Sequence, residues 1–261
     1  GNGAADTLTG LSSLSVSGTT AIYTNTVTTT GAQTYSGALT LSENATLTSS
    51  SSGKLWFKAT VSGAKTLTTS TGGDTVFVGA LGSTPLTGLT ITSATFTAGA
   101  IALADNSALS LTNSSTGNIT GIISGSGVTL TKAGNGNLTL SGANTYGGST
   151  TINAGTLSVA STGSIGGSAG ATSTALTISS ATLDLQRAIT VGSLVMSGSG
   201  AAITNSTGTS SLVVSGTSTL AGNITTSGLQ TYTGAVSLAA ATTLAGTTIT
   251  TNGTVAGATF G

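Results

Sequence analysis

Hydrophobic and polar positions alternate along this 261-residue chain over many short stretches, and each stretch ends at glycine, asparagine or serine. Leu39-Thr40-Leu41, Leu109-Ser110-Leu111 and Leu176-Thr177-Ile178 are typical examples. An apolar residue at every second position, with turn residues between the runs, predicts short β-strands. No segment sustains the i, i+3, i+4 spacing of an amphipathic helix, so the pattern predicts an all-β fold.

Three related phrases show that the chain repeats itself. GAQTYSGALTLSENATL returns near the other end as GLQTYTGAVSLAAATTL, and GANTYGGSTTINAGTL between them is a shorter version. With their flanks, these copies cover residues 14–47, 212–244 and 128–159. Sandwiches rarely repeat their sequence, whereas a solenoid must, because each coil buries its apolar face on the next. We therefore predict a parallel β-helix, or β-solenoid, that forms one continuous elongated rod over residues 1–261.

The size of one coil sets the expected dimensions of this rod. With roughly 20–24 residues per coil and strands about 4.8 Å apart, the chain makes about 11–13 coils and a rod on the order of 55 Å long. Leu, Val, Ile and Ala at alternate positions are expected to fill the interior, with Phe57, Phe77 and Phe96 in the wider coils. Glycine, asparagine and serine are expected at the corners.

Each copy of the repeated phrase contains one tyrosine at an equivalent place: Tyr35, Tyr146 or Tyr232. Because the copies otherwise differ at their surface positions, we interpret these tyrosines as structural corners of the repeat and not as a binding ladder. Tyr35 and Tyr232 are 232 − 35 = 197 residues apart. This offset corresponds to about nine coils.

Composition indicates a folded chain that lacks the features of nucleic-acid and membrane proteins. Charged residues make up 4% and hydrophobic residues 37%, and the mean hydropathy is +0.39. Disordered chains are poor in apolar and β-branched residues, so this chain should fold despite its low charge. Five basic and five acidic side chains give a net charge of zero and no basic stripe for nucleic acid. No apolar run approaches the roughly 20 residues of a membrane helix, so we expect no membrane insertion by this segment.

Groups that carry catalysis or bind metals are scarce. The chain has no histidine and no cysteine, which removes zinc sites and thiol chemistry. Calcium-binding solenoids need an aspartate at a fixed place in every short repeat, and this spacing is absent. Stacked coils could still bring two carboxylates together for glycoside cleavage. We nevertheless predict a non-enzymatic protein without cofactor or metal, because its acidic residues are scattered: Asp6, Glu43, Asp74, Asp105 and Asp184.

One cluster, Lys54-Leu55-Trp56-Phe57-Lys58, combines aromatic and basic residues. On a strand, Leu55 and Phe57 would face the core, while Lys54, Trp56 and Lys58 would face outward. We consider this outward trio a candidate surface contact for a glycan or a neighbouring rod, since tryptophan is favoured at interfaces. The alternative is that Trp56 lies flat beneath the two lysine stems or a loop.

Residues 128–159 carry an ordered series of leucine, lysine, glycine, asparagine, threonine and tyrosine residues. This series resembles the passenger-associated repeat of bacterial autotransporters, whose pattern begins Leu-x-Lys-x-Gly-x-Gly-x-Leu-x-Leu and continues Asn-Thr-Tyr-x-Gly-x-Thr and Asn-x-Gly-x-Leu. The matching positions are Leu130, Lys132, Gly134, Gly136, Leu138, Leu140, Asn144, Thr145, Tyr146, Gly148, Thr150, Asn153, Gly155 and Leu157.

The flanking phrases at residues 31–41, 72–91 and 228–238 are similar to repeats of giant secreted proteins related to filamentous haemagglutinin. Together the two resemblances imply a right-handed β-helix that is exported across the outer membrane of a Gram-negative bacterium. They imply a location at the cell surface or outside it, as a stalk, an adhesin or a biofilm-matrix fibre. The implied partner is a host or matrix surface made of glycan or protein.

Two further hypotheses follow from the surface chemistry. A nearly uncharged surface lacks the repulsion that keeps proteins apart, which favours end-to-end or side-by-side self-association. An alternative function is therefore a subunit of an extracellular filament or sheath. Ice binding is another hypothesis, because Thr-rich solenoids can present Thr-x-Thr arrays, with local examples at residues 28–30 and 66–68. However, the repeats vary in length and threonine alternates with serine and glycine, so we expect no single flat and regular face.

The two ends of the chain suggest that it continues in both directions. It begins with Gly1 and not with Met, and both ends resemble repeats cut within an array. We therefore expect a segment of a longer repeat array that has no true caps.

Overall fold

The part of the chain that the computed structural model describes, residues 6–166 and 174–257, is built of β-strands and contains no helix. The strands lie on three sides of a coil. The first side contains β1 (Thr7–Leu11), β4 (Thr26–Thr29), β7 (Ala45–Ser49), β10 (Thr66–Thr71), β13 (Gly88–Ser93), β16 (Ala108–Asn113), β19 (Thr129–Ala133), β21 (Thr150–Ile152), β23 (Ala175–Ser179), β26 (Ser193–Ser197), the first parts of β29 (Ser218–Thr225) and β31 (Val236–Ala245), and β33 (Val255–Gly257).

The second and third sides contain the remaining strands and the later parts of β29 and β31. The second side contains β2 (Leu14–Val16), β5 (Gln33–Tyr35), β8 (Leu55–Phe57), β11 (Asp74–Phe77), β14 (Thr95–Ala98), β17 (Thr116–Ile119), β20 (Asn137–Leu140), β22 (Thr156–Val159), β24 (Thr182–Leu185) and β27 (Ala202–Thr204). The third side contains β3 (Thr20–Ile22), β6 (Leu39–Leu41), β9 (Val61–Ser62), β12 (Leu81–Leu86), β15 (Ile101–Leu103), β18 (Ile123–Ser124), β25 (Ala188–Val191), β28 (Ser211–Val214), β30 (Gln230–Tyr232) and β32 (Ile249–Thr251).

Successive turns of the coil stack in parallel. β4, β5 and β6 form one turn, and β7 then returns to the first side and pairs with β4. The first two sides belong to one 23-stranded sheet, and the third side divides into a six-stranded and a four-stranded sheet. Between these two parts of the third side the stack continues, since Thr145 N donates to Ile123 O at 2.9 Å.

This architecture is a β-solenoid of about 12 turns. It confirms the predicted all-β fold of stacked parallel coils, and its turn count lies within the predicted range. At about 4.8 Å per turn, the stack is on the order of 55 Å long.

Alternate side chains of most strands point into a single apolar core. In β7, Ala45, Leu47 and Ser49 are buried, whereas Thr46 and Thr48 between them are half-buried on the outer face. This period-two pattern is the one that the sequence shows, and it places leucine, isoleucine and valine from all three sides in the interior. Burial of this apolar surface is the main stabilising contribution to the fold.

Aromatic rings form a stack inside the turns near the N-terminal end. Tyr35 and Phe57 stack with centroids 5.2 Å apart, and Phe57 and Phe77 stack at 4.5 Å. Phe96 meets Phe77 edge-on at 6.3 Å. All four side chains are buried, so the prediction that the three phenylalanines lie in the interior is confirmed. Offset and edge-on pairs of this kind add to the gain from burial.

The inner corner between the first and second sides is polar. Thr29, Ser49, Thr71, Ser93 and Asn113 end successive strands of the first side, and all five are buried. The side chains of Thr29, Ser49, Thr71 and Asn113 bond the backbone where the chain turns, whereas Ser93 Oγ has no hydrogen-bond partner among the described residues. For example, Ser49 Oγ accepts from the N–H of Gly53 at 2.8 Å, and Thr71 Oγ1 donates to the carbonyl of Gly53 at 2.7 Å. These bonds satisfy backbone groups that the tight corner withholds from water.

Candidate functional site

The outward trio predicted from the sequence lies together on the second side. Leu55 and Phe57 point into the core, and Trp56 between them lies on the outer face of β8. Lys54 Nζ lies 4.4 Å and Lys58 Nζ 4.1 Å from the centroid of the Trp56 ring. The two ammonium groups therefore cover the ring in cation–π contacts.

The neighbours of Trp56 on adjacent turns are uncharged. Thr34 precedes it in register on β5, and Val76 follows it on β11. Val78 comes next after Phe77, the register partner of Phe57, and it is 61% exposed. We refer to Lys54, Trp56, Lys58, Val76 and Val78 as the Trp56 patch.

The two lysines of the Trp56 patch differ from the other basic residues in having no bonded counterpart. Lys65 Nζ lies 3.4 Å from Glu43 Oε2, and Arg187 Nη1 donates to the carbonyl of Gly163 at 2.6 Å. Neither Lys54 nor Lys58 forms an ion pair with a carboxylate of residues 6–166 or 174–257. Asp74 precedes Thr75, the register partner of Leu55, so its carboxylate lies on the next turn beside Lys54. The patch is therefore a pair of positive charges without an ion pair on a nearly uncharged rod.

The outer face of the first side carries two ranks of hydroxyl side chains. Strand pairing aligns the first rank from β4 to β23: Thr26, Thr46, Thr68, Thr90, Ser110, Thr131, Thr151 and Thr177. It aligns the second rank from β4 to β16: Thr28, Thr48, Ser70, Thr92 and Thr112. The pairings between these strands contain no register shift. The variable repeat length predicts no regular threonine face, so this alignment departs from that expectation.

The hydroxyl ranks have regular spacing because length variation falls outside the first side, at the corners and in the register shift of β12 on the third side. Hydroxyls within a rank lie about 4.8 Å apart, and the ranks are two residues, or about 6.6 Å, apart. No side-chain hydroxyl of either rank has a hydrogen-bond partner in the described parts of the chain. These hydroxyls are therefore available to water.

The three tyrosines predicted to mark corners are buried in the core. Tyr35 OH donates to Gln33 Oε1 at 2.9 Å, and Gln33 Nε2 donates to the carbonyls of Val27 at 3.2 Å and Thr48 at 2.9 Å. Because Val27 and Thr48 lie on successive turns, Gln33 joins two turns from within. Burial raises the pKa of Tyr35 above its ordinary value.

The second copy of the phrase reproduces these bonds residue by residue. Tyr232 OH donates to Gln230 Oε1 at 2.9 Å, and Gln230 Nε2 donates to the carbonyls of Ile224 at 3.1 Å and Ala245 at 2.8 Å. However, Gln230 lies on the third side, whereas Gln33 lies on the second. Nine successive pairings lead from β5 to β29, and one further side leads to β30. The offset is therefore nine turns plus one side, and the same unit works at different corners.

Tyr146 belongs to the shorter version and has a different partner. Its hydroxyl lies 2.7 Å from Thr150 Oγ1, and no glutamine stands two residues before it. Burial raises its pKa above the ordinary value. All three tyrosines are at most 2% exposed, so none of them presents a surface to a ligand in this structure.

Lys132 is a buried cation that the strand pattern did not single out. Its side chain points inward from β19 and is 0% exposed. Nζ donates to the carbonyls of Gly134 at 2.7 Å, Ala133 at 2.8 Å and Ala154 at 3.2 Å. Burial lowers the pKa of Lys132 to about 8, because desolvation disfavours the charged form. One feature of the sequence indicated this orientation. Lys132 lies two residues after Leu130, so both side chains fall on the inward face of the strand.

The acidic residues are held separately. Asp184 is 6% exposed and accepts hydrogen bonds from the backbone N–H of Ser206 at 2.8 Å, from Ser206 Oγ at 2.7 Å and from Gln186 Nε2 at 3.0 Å. Burial alone would raise the pKa of Asp184, but these bonds and one from Ser158 outweigh it and lower the pKa. Asp105 accepts from the N–H of Ser126 at 3.0 Å.

No metal-binding cluster is present among the residues that the structure describes. Groups of three or more acidic, histidine or cysteine side chains do not occur there. Glu43 is paired with Lys65, and Asp74 accepts from Thr95 Oγ1 at 2.5 Å. In residues 6–166 and 174–257 there is also no helix that could cross a membrane.

Stacked parallel turns with repeated corner units define the class of protein as a β-solenoid. Within it, residues 130–159 match the family model described as Passenger-associated-transport-repeat. This match confirms the resemblance of residues 128–159 to autotransporter passenger repeats, and the resemblance of the flanking phrases to haemagglutinin-like repeats stays a prediction. Comparison with curated proteins found no match, and comparison with solved structures found none either.

Proposed function

We propose that this chain is a non-enzymatic, rigid segment of an exported protein at the surface of a Gram-negative bacterium, where it acts as a stalk, adhesin or matrix fibre. The observation that carries this proposal is an all-β solenoid whose middle turns match a passenger-associated repeat. A rod of stacked turns gives length and a repeated outer surface from a simple sequence pattern. Passenger repeats are associated with secretion, which supports an extracellular location.

A non-enzymatic role is supported by the chemistry of the side chains. The carboxylates of Glu43, Asp74, Asp105 and Asp184 each have their own partners, which include a lysine, a hydroxyl group or a backbone N–H. General acid–base catalysis needs at least two titratable groups placed around a substrate. The outer surface therefore offers contact and not catalysis.

Export as a passenger can be tested directly. The chain is placed between a signal peptide and the barrel of a known autotransporter in a Gram-negative host. We expect antibody staining of intact cells at the level of the native passenger. Retention inside the cell, while the native passenger is exported normally, would contradict the proposal.

Self-association into a filament or sheath is the closely related alternative. It is supported by the near absence of surface charge, which removes a barrier to contact between rods. Electron microscopy of the purified chain over a range of concentrations separates the two. Short single rods at every concentration support the stalk, and concentration-dependent fibres support the filament.

Ice binding is a second candidate function, and the two hydroxyl ranks of the first side favour it. Regularly spaced, unbonded hydroxyls can hold water molecules at repeated positions. Thermal hysteresis of the purified chain is the test, with Thr90→Lys in the first rank as the disruptive variant. Thr139→Lys, on the outer face of the second side, is the matched control. Absence of hysteresis at high protein concentration removes this candidate.

A further inference from the structure

We propose that the Trp56 patch binds acidic sugar units, specifically uronic acids within a polysaccharide. This inference goes beyond the stalk or filament role and does not depend on which of them holds. It rests on the charge of the patch, on the chemistry of its neighbours and on its small size.

The charge of the patch calls for an anion. Lys54 Nζ and Lys58 Nζ lie 4.4 and 4.1 Å from one ring centroid, so they are at most 4.4 + 4.1 = 8.5 Å apart. Two like charges at this distance repel each other, and neither has a carboxylate partner among the described residues. A carboxylate placed between the two ammonium groups would attract both and accept a charge-assisted hydrogen bond from either.

The neighbours of the two lysines suit a sugar ring. Val78 is 61% exposed and Val76 beside it is half-buried, which gives an apolar surface within reach of the ammonium groups. Thr34 and Thr97 border this surface on the preceding and following turns and offer hydroxyls. A uronic acid combines a carboxylate, hydroxyls and an apolar C–H face in one ring, so each part meets its counterpart.

The size of the patch argues against other anionic partners. Membranes rich in anionic lipid are recognised by clusters of about four to eight basic residues. Nucleic acids need several phosphates to be neutralised along a stripe. Here only two lysines are present, and one carboxylate, that of Asp74, lies on the next turn beside Lys54, where it accepts a hydrogen bond from Thr95 Oγ1. A repeating polymer carries one carboxylate per ring, so a site of two lysines can accept one ring at a time.

Trp56 is the single tryptophan of the chain, which makes its fluorescence a probe of this site alone. The purified chain is titrated at low salt with an oligomer of mannuronic acid and, separately, with a mannose oligomer of the same length. We expect a saturable change in tryptophan fluorescence with mannuronate only. Raising the salt to about 1 M, where the screening length falls to about 3 Å, should abolish it.

Two sets of variants locate the site. We expect Lys54→Gln and Lys58→Gln together to weaken mannuronate binding about tenfold or more, since charge-assisted contacts are lost, and each single variant to have an intermediate effect. Lys65→Gln, which removes a lysine paired with Glu43, is the matched control and should leave binding unchanged. Equal melting temperatures by circular dichroism verify that each variant is folded.

Three results would overturn the proposal. One is the absence of any saturable change with mannuronate. Another is equal binding of the mannose oligomer, or equal binding of polyglutamate, because the patch would then lack preference for an acidic sugar. The third is unchanged affinity in the folded double variant, which would place binding elsewhere on the rod. None of these results bears on export or on rod formation, so the proposed function is tested separately.

Discussion

Two inner corners of the solenoid supply hydrogen-bond donors to buried backbone carbonyls through different side chains. At one, the neutral amide of Gln33 bonds the carbonyls of Val27 and Thr48 on successive turns. At the other, the ammonium of Lys132 bonds carbonyls on successive turns, including those of Gly134 and Ala154. Both side chains satisfy backbone acceptors that the fold buries between the first and second sides.

The difference between these corners lies in the donors and acceptors of each group. An amide has an oxygen that must also be satisfied, and Tyr35 OH supplies that bond to Gln33. An ammonium has three donors and no acceptor, so Lys132 takes three carbonyls and needs no tyrosine. The Gln-Thr-Tyr phrase and the lysine of the passenger-type repeat are therefore two ways of supplying hydrogen-bond donors to buried backbone carbonyls.

The backbone of the lysine corner gives the largest expected effect. Gly134 has φ +75°, and a Cβ there would lie 2.3 Å from the carbonyl oxygen of Asn113. We expect Gly134→Ala to lower the free energy of unfolding around this corner by about 4 kcal/mol, from backbone strain and overlap. Hydrogen exchange of nearby amides measures the effect. Gly99→Ala, where nothing lies within 4 Å of the added Cβ, is the control and should change little.

Removal of the Gln33 amide and of the Lys132 ammonium compares the two corners directly. Lys132→Met and Gln33→Met keep a side chain of similar length but remove the side-chain donors to these carbonyls, and Gln33→Met also leaves Tyr35 OH without its acceptor. Each is expected to cost about 2–3 kcal/mol of unfolding free energy at neutral pH, by urea denaturation. A negligible cost at both positions would show that water or backbone shifts replace these bonds.

Dependence on pH should separate the charged corner from the neutral one. The pKa of Lys132 is about 8 in the folded state and about 10.5 when unfolded, so between these values the unfolded chain binds more protons. Stability contributed by this group therefore rises with pH from about 8 towards 10, by roughly 1–2 kcal/mol. The difference between wild type and Lys132→Met should grow over this window. The corresponding difference for Gln33→Met should stay constant, and equal trends would contradict the assignment.

The tyrosine hydroxyl gives the smallest expected effect. Tyr35→Phe keeps the ring stacked on Phe57 but removes the donor to Gln33 Oε1. We expect a loss of about 1 kcal/mol in unfolding free energy. Tyr146→Phe, which breaks the contact with Thr150, should cost about as much. A much larger loss of unfolding free energy for Tyr35→Phe than for Tyr146→Phe would indicate that the Tyr35 hydroxyl also holds Gln33 in place for its bonds to Val27 and Thr48.

The fold was predictable because two signals in the sequence agreed. Strand alternation such as Leu39-Thr40-Leu41 predicts which side chains point inward, and the repeated phrases require stacking of similar units. Turn count and burial of the phenylalanines followed from these signals. The repeated phrase also indicated a structural unit. The shift of this unit from the second side to the third depends on the summed lengths of nine turns.

Other features could not be predicted from residue types alone. Lys132 stands at an inward position, but a lysine is expected to face water unless its partners are known, and those partners are backbone carbonyls that only the fold brings together. The hydroxyl ranks were missed because repeats of different length suggest irregularity. In the structure the extra residues lie outside the first side, at corners and within β12, so strands such as β10 and β13 remain in register.

Distances along the first hydroxyl rank test the central claim, that turns of unequal length stack in register. The chain has no cysteine, so spin labels can be attached at introduced cysteine pairs without background. Thr46 and Thr151 are separated by five pairings, and Thr26 and Thr177 by seven. Electron–electron double resonance should give narrow distributions near about 24 and about 34 Å, or about 4.8 Å per turn. Broad distributions, or narrow distributions centred well away from these two distances, would contradict the account.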